Sequence, residues 1–522
     1  MGMHVFGKLF RKLNYLLTLG QKQQRESGKK EEKPLTGDLP FDLTMIQNIL
    51  GTSNDISYRR FKIGVEEATL IFIDGLVDKA MINDHILHPL MVDAQLTGAD
   101  EELARKNLVT QIGDKILTAG EIKPVKEMSE LVNGVLSGNT ALLLDRSEKA
   151  LLIDTRGWPA RGIEEPETEV VVRGPREGFT ETMRTNTALL RRKIRDPNLT
   201  FDTVRLGVRT KTDITIAYIK GIAKDTLVEE IKKRLKNIHT DAILESGYIE
   251  EFIEDNPLSI FSSIGNSEKP DTVAAKILEG RAAIIVDGTP IVLTVPMLFI
   301  ESFQTADDYY SRSPYTSLLR FIRFLGFLFS VFSPAIYVAL VAFHQELLPT
   351  PLLMTVAAAS EGTPFPSIVE LLGMGLLFEI LREAGVRIPR SMGQAVSIVG
   401  ALVIGEAAVS AGLIGAPVVI VVALTAIASF TVTPQADAAT ILRFLLTLAA
   451  GAFGMFGIVI VVIQMVIHLV SLRSFGVPYL SPLAPFSIND WKDLFFRVPW
   501  WAMKSRPESI EPEQRIRQGA KK

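Results

Sequence analysis

Twenty consecutive uncharged residues, Phe324 to Phe343 (FLGFLFSVFSPAIYVALVAF), constrain this chain more than any other feature. At about 1.5 Å per residue, a helix of that length spans the roughly 30 Å hydrocarbon core of a bilayer. A second apolar run, Phe444 to Leu472, is expected to form another single span, and its glycines Gly451, Gly454 and Gly457 offer a strip where a neighbouring helix can pack closely. Between these runs lie two weaker segments. Ser367–Leu381 carries Glu370 and Glu379, while Ser391–Gln435 carries only Glu406 and is punctuated by Gly412, Gly415 and Pro417. The latter reads as two short helices or a broken re-entrant pair. The fold class expected is therefore an α/β soluble region followed by an all-α membrane domain of four to five hydrophobic segments.

Lysine and arginine placement sets an expected orientation, because short cytoplasmic loops collect these residues. Arg312, Arg320 and Arg323 precede the first span, Phe324–Leu381 has no lysine or arginine, and Arg382, Arg387 and Arg390 follow it. The N-terminal domain and the basic C-terminal tail are both expected inside. Five complete spans would strand the tail outside, so one segment is expected not to cross.

The soluble part repeats itself. IFIDGLVDKA around Gly75 matches AYIKGIAKDT around Gly221, and VLSGNTALLLD around Gly138 matches ILEGRAAIIVD around Gly280, at offsets of 146 and 142. Blocks in the same order at nearly the same spacing indicate two related subdomains. Each is expected to close with a hairpin, Ala141–Asp145 with Ala150–Asp154 and Ala282–Val286 with Ile291–Val295. The expected division is 1–39 (a basic amphipathic helix, then the polar tether Gln21–Pro34), 40–165 and 166–300 (the repeats), 301–320 (linker), 321–475 (membrane domain) and 476–522 (C-terminal tail).

Composition removes several chemistries. Without cysteine there are no disulfides or thiolate metal sites. The soluble part contains no GxxxxGK[ST], GxGxxG, GxSxG or HExxH sequence. Asp84, His85 and His88 share a helix face but lack a further ligand nearby, so a polar surface is the better reading and no metal, cofactor or catalytic residue is assigned. A basic stretch including Arg173, Arg176, Arg191 and Arg192 is interleaved with acids, which favours a subunit-interface or salt-bridge surface over nucleic acid. The membrane carboxylates Glu406, Glu379 and Glu370 are the candidate ion-path groups, because an ionised group inside a bilayer needs water, a partner or a pore. Glu379 has a bland alternative, an ion pair with Arg382 one turn away.

Several blocks, VVRGPREGFTE (171–181), NTALLRRKIRDP (186–197), ESGYIE (245–250), PDTVAAKILEGRAAIIVDGTP (270–290) and DDYY (307–310), resemble the A subunit of the GerA spore germination family. The stage V sporulation AF proteins are close relatives with the same architecture. The resemblance implies a non-enzymatic integral protein of the spore inner membrane, working with a transporter-like B subunit and a lipoprotein C subunit. It further implies homo-oligomerisation into a ligand-gated cation channel, the alternative being a membrane-anchored scaffold that assembles partners without conducting.

Overall fold

The computed structural model describes residues 34–51, 53–63, 66–93, 112, 121–157, 166, 169, 171–387, 405–431 and 433–517. The N-terminal amphipathic helix and almost all of the tether lie outside the described residues. The chain forms two compact units, residues 1–160 with 194–200, and residues 161–193 with 201–522.

In the first unit, α1 (Leu39–Leu50) starts where the Asp38 carboxylate accepts the Phe41 N–H. Strands β1 (Ile56–Ile63), β2 (Glu66–Ile73) and β3 (Ile122–Val125), helix α2 (Met128–Leu136), and strands β4 (Thr140–Leu144) and β5 (Ala150–Ile153) complete an antiparallel sheet of order β1-β2-β4-β5-β3. Every side chain of β4 and β5 is buried, consistent with their unbroken apolar sequences.

The second unit begins with α3 (Met183–Lys193), β6 (Leu199–Leu206), β7 (Thr212–Ile219), α4 (Asp225–Lys236) and α5 (Ser246–Ile253). It continues through β8 (Gly265–Ser267), α6 (Pro270–Leu278), β9 (Ala282–Val286) and β10 (Val292–Val295). Its sheet has the order β6-β7-β9-β10-β8, the topology of the first repeated strand for strand. Register repeats as well: Ala68 lies opposite Leu144 and Ile71 opposite Ala141, just as Ile214 lies opposite Val286 and Ala217 opposite Ala283. These are the offsets of 146 and 142 seen in the sequence.

The paired glycines mark one shared backbone requirement. Gly138 (φ +93°) and Gly280 (φ +105°) both sit where a Cβ would meet a carbonyl oxygen at 3.2 Å, that of Leu76 in one repeat and of Ile222 in the other. Both the left-handed φ and the close approach exclude a side chain.

Beyond the sheets, α7 (Ser313–Ala342) is followed by α8 (Thr350–Glu361), α9 (Ser367–Arg387), α10 (Ala416–Ser429) and α11 (Ala436–Ser471), with a short ladder β11 (Arg473–Ser474) and β12 (Val477–Pro478) after it. Among the described residues, α7 and α11 are long and apolar enough to cross a membrane. The first helix starts at Ser313, ahead of the apolar run, because Pro314 suits its opening turn. The expected linker 301–320 thus contains a 3-10 turn, Phe299–Phe303, a short helix, Asp307–Tyr310, and the beginning of α7.

One expectation is corrected. The run Phe444–Leu472 is not a single span, because Gly454 (φ 60°, ψ −142°) breaks α11 in its middle. A straight helix of that length would separate its ends by roughly 50 Å at 1.5 Å per residue. Instead both ends meet the same segment of the second unit. Gln435 donates to Ser302 Oγ at 2.8 Å and to Tyr479 Oη at 3.1 Å, while His468 lies 3.1 Å from Ser259 Oγ. Tyr479 Oη in turn donates to the Ser262 carbonyl. The two halves therefore form a helical hairpin whose bend sits against Phe343 and His344, at the far end of α7.

Gly280→Ala is expected to destabilise the chain by about 1–3 kcal/mol. Gly288→Ala, at φ +95° with open space around it, provides the reference, and thermal unfolding in detergent should show the larger loss at Gly280.

Candidate functional site: buried charges inside and beneath the helical bundle

Three glycines allow the hairpin to pack. A Cβ on Gly451 would come within 1.9 Å of Ile368 Cδ1 at the start of α9, and one on Gly454 within 2.9 Å of Phe343 Cβ. On Gly457 it would meet the Ala449 carbonyl oxygen at 2.2 Å, so this position serves the fold-back of α11 on itself. His344 Nε2 accepts from the Met455 N–H at 3.4 Å, just past the bend, where the helix has lost its own partner.

With Ile368 beside Gly451, α9 runs antiparallel to the first half of α11, and this brings Glu379 to Arg443. The two form an ion pair, and Arg382 joins from one turn on at 2.8 Å. Arg443 is the partner of Glu379 that sequence reading missed, since it stands one place before the apolar run Phe444–Leu472. The signal was present as a lone arginine between two apolar stretches. Beside it lies a cavity of about 20 Å³ bordered by Pro334, Leu371, Gly375, Phe378 and Thr447, enough for one water. Pro334 cannot donate to the Ser330 carbonyl one turn back, which leaves an acceptor in the middle of α7. A polar contact spans the bundle nearby, where Ser333 and Thr425 hydroxyls lie 2.9 Å apart.

The other two carboxylates are placed differently. Glu370 is buried and accepts the Gly415 N–H at 3.0 Å, capping the first turn of α10. Glu406 is exposed, on a helical stretch at 405–410, with neighbouring Gly405 packed against Val419 of α10. Of the basic residues, Arg173 and Arg176 are exposed, and Arg192 pairs with Glu177 at 3.2 Å. Arg191 is fully buried, its guanidinium 5.0 Å from the Phe201 ring, so it belongs to the domain interior. Asp84, His85 and His88 are exposed together, and no group of three potential metal ligands occurs among the described residues.

Beneath the bundle lies a second charge cluster. Asp308, completely buried, accepts from Arg320 Nε at 2.8 Å and from Arg323 Nη1 at 2.9 Å. Arg320, itself 1 % exposed, also reaches Asp493 at 2.8 Å and the Leu494 carbonyl at 3.0 Å. Behind it Arg281 binds Glu301 and the Pro296 carbonyl, and Glu301 accepts the Leu298 N–H at 2.8 Å. Burial works against ionisation of Glu301, but Arg281 and Lys276 outweigh it and hold the carboxyl below its usual range. At Glu279 burial outweighs Arg281 and Arg517, and the carboxyl is pushed up.

Residues 44–509 match the family model described as Bacillus/Clostridium GerA spore germination protein. The chain belongs to the GerA family. It is 46% identical over 499 residues to spore germination protein KA of Bacillus subtilis, covering 94% of this chain and 90% of that protein. It is 43% identical to the uncharacterized membrane protein YfkQ of the same organism, over 92% of this chain and 93% of that one. The crystal structure of the N-terminal domain of the A subunit of the Bacillus megaterium spore germinant receptor GerK3 is 39% identical, with a TM-score of 0.41, over 52% of this chain and 99% of that one.

Two of the blocks that carry the GerA resemblance contribute to the lower cluster. DDYY supplies Asp308 and Tyr309, whose hydroxyl donates to Asp493 at 2.9 Å. The block 270–290 forms α6, β9 and their following turn, including Glu279 and Arg281. In ESGYIE, Glu245 caps α5 and accepts from Thr289 at 3.1 Å.

Arg443→Met leaves the Glu379 carboxylate with Arg382 as its remaining partner, so alone it should cost about 1–3 kcal/mol. Glu379→Gln combined with Arg443→Met should recover most of that loss in thermal unfolding; an additive double variant would contradict the pairing. The raised Glu279 carboxyl favours the folded state below its ordinary range, a contribution lost as pH rises through the folded value. Glu279→Gln is therefore expected to gain more thermal stability over wild type at pH 8 than at pH 5.

Proposed function

We propose that this chain is the A subunit of a spore nutrient germinant receptor. In this reading it self-associates and, with a transporter-like B subunit and a lipoprotein C subunit, forms a ligand-gated cation channel whose opening starts germination. One observation carries the assignment of the ion path. Two of the three intramembrane carboxylates have partners within the chain, Glu370 the Gly415 N–H and Glu379 the guanidiniums of Arg443 and Arg382, whereas Glu406 is exposed on an apolar bundle. A carboxylate at that depth costs several kcal/mol unless water or a partner meets it, and in an oligomer the water-filled axis meets it.

The same arrangement favours an even number of crossings. Helix α7 leads away from the second repeat, α9 returns, α10 starts again at the far end, where Gly412 and Gly415 lie beside the Gly362 and Ala359 carbonyls, and returns, and the two halves of α11 add one pass each way. An even number of passes keeps the N-terminal domain and the C-terminal segment on one side, the cytoplasmic side indicated by Arg312, Arg320 and Arg323. The hairpin at Gly454 removes the parity conflict that a single final span creates.

Spores carrying Glu406→Gln in an otherwise intact receptor are expected to release potassium more slowly than wild type after nutrient addition, with receptor abundance unchanged. Wild-type release would take Glu406 out of the ion path.

A further inference from the structure

Where α11 leaves the bundle there is a cleft of about 390 Å³, within the range of small-molecule sites. Its walls are Glu230, Arg234, Asp255, Asn256, Arg473 and Phe475, with Ser471, the last residue of α11, at its edge. One arginine satisfies both acids. Arg234 stacks 4.2 Å from the Phe475 ring and donates to Glu230 at 2.9 Å, to Asp255 at 2.6 Å and to the Ile253 carbonyl at 2.6 Å. Asp255 additionally accepts the Phe475 N–H at 2.6 Å. Arg234 is thus committed to the two carboxylates, and any spare donor capacity of the cleft must come from another group. Arg473 provides it, being exposed and giving one hydrogen bond, to the Gly476 carbonyl at 3.2 Å.

The neighbouring surface says what kind of anion fits. Along the second half of α11, Ile460, Ile463, Ile467 and Val470 are exposed at 46, 54, 63 and 52 %. Their spacing of three, four and three places them on one helix face, and the stripe ends one residue before Ser471. A cleft whose free donor is an arginine, at the foot of an apolar helix face, matches a molecule with a phosphate at one end and hydrocarbon at the other. We propose that this cleft holds the phosphate of a membrane phospholipid, with Arg473 as its principal donor and an acyl chain lying along the Ile460–Val470 stripe. Such a lipid would touch both the end of the α11 hairpin and, through Arg234, helix α4 of the second repeat.

The test is a thermal-shift titration of the full chain in detergent with dioctanoyl phosphatidylglycerol, dioctanoylglycerol and inorganic phosphate. The phospholipid is expected to raise the midpoint saturably while the other two have little effect. Arg473→Gln should weaken its half-saturation roughly tenfold or more, as for loss of a charge-assisted hydrogen bond. Ile467→Ser, which changes only the exposed stripe, should weaken it several-fold with the folded state intact. Equal stabilisation by dioctanoylglycerol would overturn the role of the phosphate, and saturation by inorganic phosphate alone would make this a site for a soluble anion. Unchanged phospholipid binding in Arg473→Gln or in Ile467→Ser would overturn the proposal.

Discussion

The buried pairing of Arg320 with Asp308 is the constraint around which the second unit is organised. A carboxylate and a guanidinium removed from water must satisfy each other with little geometric freedom. Asp308 comes from the turn that follows the second sheet, Arg320 and Arg323 come from the first turns of α7, and Asp493 comes from the chain after the membrane helices. Three segments, the last of them far along the sequence, therefore meet at one fixed point. The segment between the second sheet and the bundle acts as a joint, with Arg281 and Glu301 forming a second layer of buried charge behind it.

From that joint the geometry of the bundle follows. Helix α7 runs to Phe343, which occupies the space that a side chain at Gly454 would need, and α11 bends there and returns. Because both ends of α11 contact the segment from Ser259 to Ser302, a change in that segment is felt by the hairpin at two places. Such a doubly anchored hairpin is a mechanical link between the soluble repeats and the apolar core.

Much of the soluble architecture was legible in the sequence. The duplicated blocks around Gly75 and Gly221, and around Gly138 and Gly280, located equivalent strands, because all four glycines take a left-handed φ, a requirement of the local turn. The hairpins of β4 with β5 and β9 with β10 followed from apolar runs flanking polar turns. Arg191 was less legible. Its neighbours Arg192 and Lys193 pair with Glu177 near the surface, but helical periodicity carries Arg191 inward to Phe201. A run of basic residues does not distinguish these fates, since the direction of each side chain depends on what the helix packs against.

What the sequence by itself determined was the position of the apolar runs, the internal duplication, and the membership that long ordered blocks convey, all of which depend on local composition and spacing. Only the tertiary structure decided that Phe444–Leu472 is two helices rather than one, that Glu379 meets Arg443, and that Glu370 caps α10. Hydropathy is averaged over a helix and does not register a single glycine adopting φ 60°. Ion pairs between helices depend on which faces meet, and that choice belongs to packing, where a Cβ-free surface at Gly451 and Gly454 lets α9 and the end of α7 approach.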